Sequence, residues 1–141
     1  MYKSPTIGMH YGDPAPDAVP ATQQEIRDYE LSRSRANKLA QITRDRDAAC
    51  VADVTVLGHP WQADIRSQQM LASAILLAQA GVYTPTVWRD ADNNNMPISS
   101  VAQLVSIAGA MAAQTQAAYA ASWARKSALE AATTIADVEA V

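Results

Sequence analysis

Three groups of residues have types and spacings that could do chemistry. Asp90-x-Asp92-x-Asn94 reproduces the first three side-chain ligands of a calcium loop. The pattern then breaks, because Asn95 stands where the sharp turn needs glycine and Val101 where a bidentate glutamate must close the site. Asp and Asn bond to nearby backbone and tolerate left-handed conformations, so the stretch Asp90–Asn95 reads as a structural turn, with Asn94 a candidate for the left-handed position. His10 and His59 lie far apart, and Cys50 has no His or Cys at ligand spacing, so no zinc site is expected. Cys50 ends a charged segment with no histidine beside it, which argues against a thiol nucleophile. No Gly-x-Ser-x-Gly, glycine-rich phosphate loop or dinucleotide fingerprint occurs. Trp61 and Trp88 sit in strand-like runs, where they could stack on a sugar. More commonly such residues pack a hairpin on a helix, and Trp123 in a helical run reads the same way. The residues therefore point to no enzyme, no cofactor and no metal.

The elements that position these residues follow from punctuation. Residues 1–20 hold Pro5, Pro14, Pro16 and Pro20 with Gly8 and Gly12, which predicts an extended arm. Thr22-Gln23-Gln24-Glu25 is a capping box opening a helix to about Ala49. The apolar stripe of that helix is thin (Ile26, Tyr29, Ala36, Leu39, Ala40, Ile42), as in a spacer, a coiled-coil strand or a solvated helix. Val54–Leu57, a Gly58-His59-Pro60 turn and Trp61 to Ala63 predict a hairpin. Asp64 caps a helix over 65–80 that Gly81 ends. Thr84–Asp90, the Asn-rich turn and Met96–Ile98 predict a second hairpin. Ser100 and Gln103 box the start of a long helix to about Ala132, and Thr133-Thr134 with Asp137 open a last short turn.

One face of the long helix carries a continuous seam of mostly small residues: Val101, Leu104, Ala108, Met111, Thr115, Ser122 and Leu129. Its length and small side chains suit close helix approach, so it is the expected oligomer interface.

Composition sets the class. The 141 residues suffice for one domain with a modest core. Hydrophobic residues make up 49%, yet no run nears the roughly 20 needed to span a bilayer. No basic start followed by an apolar block is present, so no secretory signal is expected. The net charge of −3 and dispersed Lys and Arg leave no nucleic-acid footprint. The single cysteine allows no internal disulfide. The expected fold is mainly α with two short β-hairpins (α+β): an arm over 1–20, a spacer or oligomerisation helix over 21–50, and a compact helix–hairpin domain over 51–141.

From Val56 onward the chain resembles an uncharacterised domain family recurrent in tailed-bacteriophage tail and tail-fibre gene clusters. The resemblance rests on Gly58, Trp61-x-x-Asp64 opening a helix, Trp88 followed by Asp92-Asn93 and a short apolar strand, and the Ser99-Ser100 start of a helix with Leu104. The ending fits as well, through Arg125-Lys126, Leu129, Ala131-Ala132-Thr133-Thr134-Ile135 and Asp137-Val138. Trp61 and Leu129 stand where other apolar types are expected. The resemblance implies no catalytic residues. It implies a non-enzymatic virion component of the tail, made in the host cytoplasm, bound to fibre or baseplate proteins, and a homotrimer because phage fibres are typically trimeric. A fibre-assembly chaperone and a carbohydrate-binding fibre tip are the alternatives. No nucleic acid or membrane is expected as partner.

Overall fold

The computed structural model describes residues 1–141. The chain is mostly helical with three small antiparallel sheets, a mixed α+β fold. It divides into two compact units, one formed by Met1–Ile42 with Arg125–Val141 and the other by Thr43–Ala124. No helix is long and apolar enough to cross a membrane.

In the first unit, residues 1–20 differ from an unpaired arm. β1 (Tyr2–Ser4), β2 (Gly8–His10) and β3 (Val19–Pro20) form a sheet in the order β2-β1-β3, with Tyr2 opposite His10 and Lys3 opposite Val19. The prolines keep the backbone extended, as their fixed φ requires. What the composition conceals is a polar knot that pairs the extended pieces. Ser4 Oγ accepts the amides of Thr6 and Ile7 at 3.0 and 3.2 Å and donates to Asp17 at 2.8 Å, and Thr6 Oγ1 donates to the same carboxylate at 2.8 Å. Pro20, which lacks an amide donor, ends an outer strand where that loss costs little.

Helix α1 (Gln23–Cys50) starts at the expected box: the Thr22 amide donates to Glu25 Oε2 at 2.9 Å and the Glu25 amide to Thr22 Oγ1 at 3.3 Å. Lys3 pairs with the other Glu25 oxygen, so β1 and the helix start share one carboxylate. The thin stripe of α1 buries only Ile42. Ile42 packs with Leu129, Ala132 and Val138, flanked by Leu31 and Val141, in the core of this unit. Leu129 belongs to α3 (Val101–Ala131) and Val138 to α4 (Ile135–Ala140). Arg35 donates to the Ala132 carbonyl and Lys38 to that of Glu139, satisfying acceptors at two helix ends. Thr134 and Asp137 form the reciprocal cap of α4.

The second unit contains both predicted hairpins. β4 (Val54–Val56) pairs with β5 (His59–Trp61), and β6 (Val87–Arg89) with β7 (Asn95–Pro97). Leu57 and Gly58 form the two-residue connection of the first, both at positive φ (57° and 77°), the geometry that matches strand twist. Helix α2 (Ile65–Gln79) is capped by Asp64, which accepts from the amides of Arg66 and Ser67, and ends at Gly81 with φ 69°. The core joins Trp61, Ala63, Leu71, Met96, Leu104 and Ile107. Gln114 on α3 donates to the carbonyls of Ala49 and Ala52, and Gln68 on α2 to that of Ala63 at 2.6 Å. These amides close the last turn of α1 and the entry to α2.

Candidate functional site

The polar centre of the second unit is His59 with Asp90. His59 ends the Leu57-Gly58 turn, and Asp90 follows β6, so each hairpin contributes one partner. His59 Nδ1 lies 2.8 Å from Asp90 Oδ2, and the Asp90 side chain is only 1% exposed. The same carboxylate accepts the Asn94 amide at 2.7 Å through Oδ1 and Asn94 Nδ2 at 3.2 Å through Oδ2. The Ala91 amide donates to the Pro60 carbonyl at 2.9 Å, a second tie between the hairpins. The hydrogen bond from His59 holds the Asp90 carboxyl below the ordinary range, against a smaller opposing effect of burial. A carboxylate oriented on an imidazole is half of a general-base arrangement. No hydroxyl or thiol is hydrogen-bonded to this ring, and the pair acts as a clasp between two turns.

The turn Asp90–Asn95 is built as expected in kind but not in position. The left-handed residue is Asn93, φ 64°, rather than Asn94, because Asn94 is held by both its amide and its side chain on Asp90. Three donors, His59 Nδ1 and the Asn94 amide and side chain, converge on the Asp90 carboxylate. No group of three or more His, Cys, Asp or Glu side chains is placed to hold a metal ion.

A cavity of about 300 Å³ opens between α2 and β6. Trp61, Leu71 and Met111 form its floor, while Met70, Trp88 and Arg89 stand at its edge. Both strand tryptophans thus reach one cavity. Trp61 is 1% exposed and its indole N–H donates to the Val56 carbonyl at 3.0 Å, so it is a core residue with no open face for a sugar. Trp88 is half-buried against the same core.

Trp123 differs from its expected packing role. It is 63% exposed, with its ring 6.0 Å from that of Tyr119, over which Arg46 lies at 4.9 Å. Helical spacing alone does not reveal which face a neighbouring element covers.

The expected oligomer seam is distributed over the chain's own interior. Leu104 and Met111 belong to the core of the second unit, Leu129 to that of the first, and Ser122 is 3% exposed. Ala108 packs against the second unit's core, and Val101 and Thr115 are half-buried. Part of the periodic face thus meets apolar side chains of the same chain, at Leu104, Ala108, Met111 and Leu129. Ser122 Oγ is buried there without a hydrogen-bond partner.

Residues 33–141 match a domain of unknown function, DUF4376. The chain belongs to the DUF4376 family. No curated protein and no solved structure matches it. The DUF4376 segment begins inside α1 and runs through α4, and it contains every residue that carries the sequence resemblance. In this DUF4376 protein those residues build turns, caps and core: Gly58 the first turn, Asp64 the α2 cap, Trp61 the core, Asn93 the second turn and Asp137 the α4 cap. Sequence reasoning missed the His59–Asp90 clasp, because nothing in the spacing of two turns says that they meet.

Proposed function

We propose that the protein is a non-enzymatic structural component of a bacteriophage tail, associated with the tail fibre or baseplate, where it attaches or organises fibres. One observation carries the reading. The residues that resemble the phage tail family serve as turns, helix caps and core in this fold, which is what a scaffold presenting a surface requires. The match of residues 33–141 to a single family supports treating that stretch as a recurring module.

The N-terminal sheet is the attachment device. None of its residues belongs to either apolar core, and Ile7, Tyr11 and Val19 are exposed. Deleting residues 1–20 therefore changes the melting temperature of the isolated protein by no more than a few degrees, while incorporation into particles falls. Mass spectrometry of purified virions measures the second quantity. Finding the chain absent from mature particles but required for infectivity would move the assignment to an assembly chaperone. Finding it neither present nor required would remove the tail reading altogether.

A further inference from the structure

We infer that the cavity between α2 and β6 is a binding site for a small aromatic carboxylate, its ring held among the apolar side chains and its carboxylate on Arg89. The inference rests on the lining of the cavity alone and is independent of any role in a tail.

The cavity of about 300 Å³ lies at the lower end of the range for small-molecule sites, about 300–1,000 Å³. That volume suits one ring with a short substituent rather than a long acyl chain or an oligosaccharide. Trp61, Leu71 and Met111 are buried and close its inner end. The half-buried Trp88 and the exposed Met70 and Val87 complete the apolar part. Thioether sulfurs pack favourably at ring edges, and the two methionines can follow the shape of a bound ring. The Trp88 indole adds an aromatic surface to stack against. All these residues belong to one compact unit and to the segment shared with the family.

Charge selects the rest of the ligand. Arg89 is the one formally charged residue of the lining, with Gln62 and Ser67 its other polar members. The Arg89 Nε–H donates to Asn95 Oδ1 at 3.3 Å, across the β6–β7 pair in which the two residues face each other. That contact steadies the guanidinium and spends one of its five N–H groups. The terminal ones match the two oxygens of a carboxylate. Phosphate groups are typically held by clusters of cations, and no second cation lines this cavity. A cationic ligand would meet like charge, and a neutral one would leave the fork unused. Asp64 adjoins the lining through Ser67, whose hydroxyl donates to it at 2.5 Å, but its carboxylate is engaged in the α2 cap by the Arg66 and Ser67 amides.

Phenylacetate, with phenylacetamide as its neutral counterpart, tests this on the full chain. A proton–nitrogen correlation spectrum gives one indole N–H signal for each of Trp61, Trp88 and Trp123, and Trp123→Phe, at a 63% exposed position, assigns the third. Phenylacetate is expected to move the Trp61 and Trp88 signals, leave that of Trp123 in place, and saturate with a Kd on the order of 1 mM or tighter. Phenylacetamide is expected to bind roughly tenfold more weakly or worse, since it lacks the charge-assisted pair. Arg89→Gln, an exposed position on β6, weakens phenylacetate by a similar factor and leaves phenylacetamide unchanged, while Arg27→Gln on α1 alters neither. The comparison of acid with amide on wild type needs no variant. No shift at about ten times that Kd, movement of Trp123 equal to that of the other two, equal affinity for acid and amide, or undiminished phenylacetate binding by a folded Arg89→Gln each overturns the proposal.

Discussion

His59 Nδ1 and Asp90 Oδ2, 31 residues apart in sequence, lie 2.8 Å from each other and fasten the two hairpins of the second unit. Asp90 also receives the Asn94 amide, so one buried carboxylate orders both its own turn and the neighbouring one. Its loss leaves several donors without an acceptor, which is costlier than the loss of a single exposed contact.

Asp90→Ala is expected to lower the melting temperature by on the order of 5 °C at neutral pH. The carboxyl is held below its ordinary value of 3.8 in the folded state, first by His59. Its contribution is therefore present above that value and lost as pH falls through the folded one. Asp17, Asp64 and Asp137 are shifted the same way, and Glu25 is lowered to about 2, chiefly by Lys3. Wild-type stability should thus decline below about pH 4, with the Asp90→Ala variant showing a shallower decline. Thermal melts from pH 2 to 7 measure both, and equal slopes would exclude this linkage.

Leu57→Asn is expected to stabilise the protein by about 1 kcal/mol. Leucine at φ 57° is strained, and its side chain is 46% exposed, so little packing is lost. Asn-Gly is the preferred pair for this turn. Chemical denaturation gives the value; a destabilised variant would mean that the Leu57 side chain contributes more than its backbone costs.

Calcium at millimolar concentration and EDTA are both expected to leave the melting temperature unchanged within about a degree, since the closing carboxylate and glycine kink are missing. Asn93→Gly is expected to be neutral or mildly stabilising, because that residue holds φ 64°. A calcium-dependent rise of several degrees, abolished by Asp92→Ala, would restore a metal role to the turn.

Ser122→Ala is expected to be neutral or to stabilise by about 1 kcal/mol. The hydroxyl is buried at 3% exposure and has no partner, so its removal relieves an unmet desolvation cost. A loss of more than about 1 kcal/mol in denaturant titration would show that the hydroxyl is satisfied in solution.

Local rules legible in the sequence placed the elements. The Thr22–Glu25 box, the Asp64 cap, Gly81 and the Thr134–Asp137 cap all depend on residues within a few positions of one another, and each lies where its chemistry predicts. The mixed α+β class and both hairpins follow from the same short-range signals. What covers each face was decided only in three dimensions. The Ser4–Asp17 knot turns a proline-rich arm into a sheet, Leu104, Met111 and Leu129 of the α3 seam enter the chain's own cores, and Trp123 is left facing solvent. Periodicity tells that a helix has an apolar side, but that side is satisfied by whichever surface the chain brings to it. The His59–Asp90 clasp belongs to the same class, since a hydrogen bond between two turns depends on tertiary packing that no local spacing encodes.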